Sequence, residues 1–297
     1  VTNLPPGIGA HWPITEAEYH ADRNHVRSGE IKSILPPWGS PGYWASGRAT
    51  ADSASLRLGS AADVAILSPN EFDRRFVVAP EWDARTKAGK AIRDEFMANH
   101  PLETVLRPDE YEAAMRMRAS VLSHPVAARI LLSCEGRTQF PIRWTDAATG
   151  LACKAMLDGL GSTEDGYPIN VSLKTSREPH PAGFARSIAS YGYHVQDAHY
   201  HDAIAAFLRG QGETEPVPIR TVYIVVGNSE ASGYETFVYE HDEASVAAGA
   251  RLVRKGLAEI ARCRADGVAR SAGSLEMQTI SVPKWALKTD EEGGDAP

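Results

Sequence analysis

Ile169-Asn170-Val171-Ser172-Leu173-Lys174-Thr175 reads as a β-strand with two chemically different faces. Side chains of period two put Ile169, Val171 and Leu173 on one side and Ser172 and Lys174 on the other, so chemistry belongs to the second side. Upstream, Cys153-Lys154-Ala155-Met156-Leu157-Asp158-Gly159 alternates in the same way, and Asp146-Ala147-Ala148-Thr149-Gly150 before it reads as a hairpin turn. The two strands are predicted to be neighbours, with Asp158 meeting Lys174. A carboxylate holds a hard divalent cation, and a lysine beside it orients or deprotonates an attacking water and neutralises developing phosphate charge. Such sites use a second acid two residues before the lysine. Here that position is Ser172.

Around this pair the pattern predicts helix, three strands, helix, strand. Asp52 or Ser53 caps a helix running to residue 67, with Leu56, Leu58, Ala62, Ala65 and Ile66 as its buried stripe and Asp63 among them. Strands over 139–144, 151–160 and 169–175 form a meander, a long helix covers 182–209, and a strand over 219–226 is apolar enough to be buried on both faces. A further strand is expected over 234–239 and a helix over 241–264. Residues 1–50, rich in Pro, Gly and Trp, read as an arm packed on the core, with helical signals over 15–22 and 28–35 broken by Pro36-Pro37. Residues 68–136 read as a helical insertion, with a strand over 76–79 and helices over 86–99 and 108–122. The expected class is α/β, a mixed central sheet flanked by helices in one elaborated domain over 1–270. The tail 271–297, ending in Asp290-Glu291-Glu292-Gly293-Gly294, is expected to be partly disordered.

At 297 residues and 43% hydrophobic content the chain can bury a large core. A net charge of -7 argues against a uniformly basic surface, while leaving room for a local basic channel. Cys134, Cys153 and Cys263 are odd in number and far apart, which suggests neither a disulfide framework nor a zinc site and points to a reducing compartment. No run approaches a membrane span, and Val1-Thr2-Asn3-Leu4-Pro5-Pro6 lacks the features of a signal peptide. A cytoplasmic protein without membrane partners is expected, and a start without Met reads as that of a trimmed chain or a fragment.

Five pieces occur in order: Leu58-Gly59-Ser60-Ala61-Ala62-Asp63, the run from Arg85 to Lys90, Thr149-Gly150-Leu151-Ala152-Cys153-Lys154, Leu173-Lys174-Thr175, and Tyr191-Gly192-Tyr193-His194-Val195-Gln196. As an ordered set they resemble the nuclease domain of the RecE (exonuclease VIII) family, a branch of the PD-(D/E)XK superfamily with its restriction-endonuclease-like core. The likeness runs from about Tyr19 to Leu208. Three positions depart from the family pattern: Asp63 stands for a histidine, Gln139 for a glutamate and Ser172 for the motif acid. The resemblance implies a Mg²⁺-dependent exonuclease, with Mn²⁺ as substitute, that resects the 5′ strand of duplex DNA ends in phage or bacterial recombination. It implies that Asp63, Asp158 and the Leu173 carbonyl hold the metal, that Lys174 positions the water, and that Gln196 orients Lys174 or the scissile phosphate. It also implies a ring-shaped homo-oligomer and a single-strand annealing partner. The rival reading keeps the fold and discards the chemistry, as a DNA-end or partner-binding protein lacking charge at Ser172 and Gln139.

Further candidates come from spacing. Tyr193, Gln196 and Tyr200 share one helix face, where the tyrosines can pack or touch DNA. His194, Asp197 and His201 form another stripe, expected to be mutually hydrogen-bonded at the surface, although the spacing also suits a transition metal. Arg85, Lys87, Lys90 and Arg93 form a basic cluster suited to phosphate contacts. Trp38, Tyr43 and Trp44 can stack on a base or pack the arm, the second being the expected role.

Overall fold

In chain order the elements are β1 (Gly9–His11), α1 (Glu16–Ala21), α2 (Ser28–Ile34), α3 (Pro41–Ala45), α4 (Ala54–Leu67), α5 (Phe72–Arg75), β2 (Phe76–Val78), α6 (Lys87–Asn99), β3 (Thr104–Leu106), α7 (Pro108–Ser123), α8 (Pro125–Ser133), β4 (Thr138–Thr145), β5 (Ala152–Ser162), β6 (Pro168–Ser176), α9 (Pro181–Tyr191), α10 (Tyr193–Gly210), β7 (Arg220–Gly227), β8 (Thr236–Glu240) and α11 (Glu243–Asp266). The computed structural model describes residues 4–47, 53–83, 85–101, 104–270, 277 and 279–283. Asp52 as a cap and most of the tail therefore lie outside the described residues. Ser53 does cap α4, its hydroxyl accepting the Leu56 N–H at 3.2 Å.

Six strands form one mixed sheet in the order β1-β4-β5-β6-β7-β8. Neighbours are antiparallel except β6 and β7, which run parallel from Ile169 opposite Arg220 to Ser176 opposite Gly227. A parallel pair needs a crossover, and α9 and α10 supply it. On one face, Ile169, Val171 and Leu173 pack with Val222, Ile224 and Val226 against α4 and α7. On the other, β4 and β5 bury Ile142, Trp144 and Leu157 under α2, α10 and α11, while Tyr223 and Val225 of β7 meet Phe184 of α9. The strand expected to be buried on both faces is so. Each fully buried Val, Leu or Ile contributes about 1.5–3 kcal/mol of transfer free energy, which is why this strand pair fixes the middle of the sheet.

The structure corrects the sequence reading in the long helix, the arm and the insertion. The helix expected over 182–209 is two helices, broken at Gly192, whose φ of 64° is left-handed. A Cβ there would lie 2.8 Å from Lys32 Cδ and 3.0 Å from the Trp38 ring, so glycine is required twice over. The arm also does more than pack on the core, because β1 pairs with β4, Gly9 opposite Trp144 and His11 opposite Ile142. Gly-Ala-His carries no hydrophobic alternation, so the strand was invisible to a periodicity reading. In the insertion, β3 and α8 were not expected, and β2 pairs with β3 as a separate parallel ribbon.

Lys154 of β5 ties the arm down. Its side chain is 1% exposed, and its ammonium donates to the Tyr19 carbonyl and, at 2.7 Å, to the Asp22 carbonyl, with the Asp22 carboxylate at 3.3 Å. Among the described residues no helix is long and apolar enough to cross a membrane.

Candidate active site

Asp158 sits where the sheet opens. The β5–β6 ladder runs from Ser162 opposite Pro168 to Gly159 opposite Val171 and goes no further, while the β4–β5 ladder skips the pair Gln139 and Asp158. The pleat slips at the same point, since Cys153, Ala155, Leu157 and then Leu160 all enter one apolar cluster. Gly159 allows this, for a Cβ there would lie 2.8 Å from Cys134 Sγ at the end of α8. Gln139 takes up the twist from β4 with a φ of 46°, a left-handed conformation that a non-glycine residue adopts at a cost. Strain of this kind persists where the surroundings impose it, and functional sites are where it gathers.

In the opening, Asp158 Oδ2 accepts the Leu173 N–H at 2.9 Å and the Ser172 hydroxyl at 3.4 Å, and the Lys174 ammonium stands 3.6 Å away. The same ammonium lies 5.2 Å from the centre of the Tyr193 ring. Burial alone would lower the Lys174 pKa, but Asp158, Tyr193 and Asp63 together more than offset it, and the amine is held charged. Asp63, from α4, faces the same cleft and has no hydrogen bond or ion pair among the described residues. Burial, and then the charge of Asp158, pushes its carboxyl up to about 8. Two carboxylates in this position repel one another unless a cation or a proton lies between them.

The third wall is α10. Gln196 Nε2 donates to Tyr200 Oη at 3.0 Å, and both residues line the cleft with Tyr193. Burial, then Asp158, pushes the Tyr200 phenol up to about 12. The start of α10 is fixed by the arm, whose Trp38 Nε1 donates to Ser190 O at 2.9 Å and Lys32 Nζ to Tyr191 O at 3.0 Å. These donors satisfy carbonyls that the end of α9 leaves open. The cleft holds about 1050 Å³.

Residues 42–278 match the family described as the PDDEXK-like domain of unknown function (DUF3799). The chain belongs to that family. The fold is similar to that of a crystal structure from Eubacterium rectale, of a protein described as a "putative exonuclease", with a TM-score of 0.55 and 12% identity over 94% of this chain and 99% of that one. No curated protein matches the chain. At that identity the likeness speaks for the fold.

Within this PDDEXK-like frame the structure brings together Asp63, Asp158, Ser172, Leu173, Lys174, Gln139, Gln196, Tyr193 and Tyr200. Ser172 is buried at the position of the motif acid, and Leu173 contributes its amide to Asp158 while its side chain enters the core. Among the described residues no three histidine, cysteine or carboxylate side chains converge as a metal-binding group. Arg85, Lys87 and Lys90 are not brought into the cleft. Arg85 pairs with Asp83 at 3.1 Å, and it lines a separate hollow beside Arg107.

The stripe of His194, Asp197 and His201 is a further correction. Asp197 is buried, accepting from the Tyr223 hydroxyl and, at 2.8 Å, from His241 Nδ1, whereas His201 bonds Thr221 Oγ1 at 2.8 Å. Asp197 and His201 look to β7 and to His241 just past β8, and the His194 ring lies 5.7 Å from that of Trp38, so the stripe is not bonded within itself. Trp38 and Trp44 pack the arm, while Tyr43 is exposed. Sequence reasoning missed the arm's part in the cleft, where Glu16, Arg27 and Lys32 join Arg75 and Arg177. No local signal announces them, because they reach the site through packing of distant segments.

Proposed function

We propose that this chain is a metal-dependent nuclease of the RecE kind, acting on duplex DNA ends and resecting the 5′ strand. The observation that carries the reading is the juxtaposition, at one cleft, of the Asp158–Lys174 pair from the sheet and an Asp63 from α4 with no hydrogen bond or ion pair among the described residues. The donor chemistry fits a divalent cation, since two repelling carboxylates lack a counter-charge that Lys174, bound to only one of them, supplies in part. Asp63 and Asp158 would hold Mg²⁺ or Mn²⁺, with the Leu173 carbonyl as an expected third donor. A bound divalent cation supplies Lewis acidity toward phosphate and water. Lys174, kept charged, orients the attacking water and neutralises charge growing on phosphate. Gln196, braced by Tyr200, orients Lys174 or the scissile phosphate. A role in phage or bacterial recombination, a cytoplasmic setting, a ring-shaped homo-oligomer and a single-strand annealing partner belong to the same proposal.

Ser172 favours one second reading, an impaired DNA-end-binding or partner-binding protein on this fold, because a hydroxyl replaces a carboxylate at the centre of the site. Digestion of end-labelled duplex across a Mg²⁺ or Mn²⁺ titration, with Ser172→Asp beside the parent, separates the two. Digestion by either chain supports the nuclease. Silence from both, with DNA retained, leaves the binding protein.

A further inference from the structure

Five cationic side chains lie in or beside the cleft: Arg27, Lys32, Arg75 and Arg177 line it, and Lys174 stands 3.6 Å from Asp158, which does. Four are engaged. Arg27 meets His20 at 3.2 Å, Lys32 the Tyr191 carbonyl at 3.0 Å, Arg75 the Glu16 carboxylate at 2.6 Å, and Lys174 Asp158 at 3.6 Å. Arg177 has no partner among the described residues and is exposed.

Its backbone is nevertheless fixed on both sides. Ser176 O accepts the Asn228 N–H at 3.0 Å, and Ser176 Oγ accepts the Glu178 N–H at 3.1 Å. The adjacent carboxylate of Glu178 is taken by Arg186 at 2.6 Å. A guanidinium that no protein group engages, carried on a fixed stretch of backbone, is available to an external acceptor, and its planar fork suits phosphate oxygens. The position is also a junction. Ser55, Arg177 and Asn228 line both the main cleft and a second cavity of about 480 Å³ between α4, α7 and the turn after β7.

We propose that Arg177 clamps an internal phosphodiester of a nucleic-acid strand that passes from the cleft over Ser55 and Asn228 into the second cavity. This rests on the nuclease reading and adds a direction to it. The strand has one cationic handle just beyond Lys174, and past it the arginines of the second cavity are already paired, Arg107 with Asp109 at 3.0 Å and Arg116 with Glu230 at 3.4 Å. Arg177 therefore positions the strand without touching the reacting atoms.

The test is binding of fluorescent oligonucleotides by anisotropy, with Ca²⁺ replacing Mg²⁺, across about 50–200 mM salt, where each phosphate contact adds about 0.7 (single strand) to 0.9 (duplex) to the slope of log K against log salt. Arg177→Ala is expected to lower the slope by one such contact for probes with and without a terminal 5′-phosphate, while Arg177→Lys retains most of it. Arg129→Ala, on an exposed pair with Glu164, serves as the control and is expected to match the parent. An Arg177→Ala slope equal to the parent's, or a drop confined to the phosphorylated probe, overturns the clamp alone. A parent chain that binds no oligonucleotide sinks the nuclease reading and the clamp with it.

Discussion

Asp63 is the residue on which the site's chemistry turns, because its carboxyl has no hydrogen bond or ion pair among the described residues and the charge of Asp158 opposes its own. A divalent cation should therefore raise thermal stability, by about 2.7 kcal/mol at a hundredfold excess over its Kd. Calorimetry with Mg²⁺ or Mn²⁺ should show the shift in the parent and lose it in Asp63→Asn and in Asp158→Asn; a parent that ignores both ions would count against the donor assignment. Gln139 makes a separate prediction. Left-handed backbone costs a non-glycine residue about 1–2 kcal/mol, so Gln139→Gly should stabilise the fold by about 1 kcal/mol and Gln139→Val should weaken it. Chemical denaturation reads both. Ser172 and Lys174 were legible in the sequence because period two puts them on one face, and Asp158 because its strand was readable as their neighbour. The left-handed turn at Gln139 was not, since it answers a pleat slip whose cause, the close approach of Cys134 to Gly159, comes from another element.

Among elements, the strands of the meander and the parallel partner were readable to within a residue or two, because each is long and apolar on a definite face. What sequence periodicity could not supply was the break at Gly192, since the apolar stripe continues through it into α10. Beyond the break, α10 buries His199 completely, with Nε2 3.0 Å from the Lys154 carbonyl. Burial, above all, lowers its pKa to about 4. The unfolded chain takes up a proton near pH 6.5 that the folded imidazole refuses until about 4, so this contribution is complete above about pH 6.5 and is lost as pH falls through that window. Urea melts at several pH values should show a shallower acid-side loss in His199→Gln than in the parent; identical slopes would contradict the assignment.

Across the whole molecule, one buried ammonium links the arm to the sheet. Lys154→Met leaves two carbonyls without their donor and the Asp22 carboxylate with only His25 and the Asn24 N–H, and breaking such a pair costs about 3–5 kcal/mol. Limited proteolysis should then cut ahead of α2 in the variant and spare the parent. The resemblance read from sequence began near Tyr19, yet it gave the arm no task. Its contribution is spread over Lys32, Trp38 and three residues of β1, none of them patterned. That short strand has a practical corollary. The family match starts at residue 42. A protein trimmed to that boundary would bare the hydrogen-bonding rim of β4, and an uncapped rim recruits strands from other molecules. Such a truncation should scatter light and self-associate even where its catalytic residues are intact, so insolubility of the minimal unit would report the missing arm, its three-residue cover of β4 included, and say nothing against its chemistry.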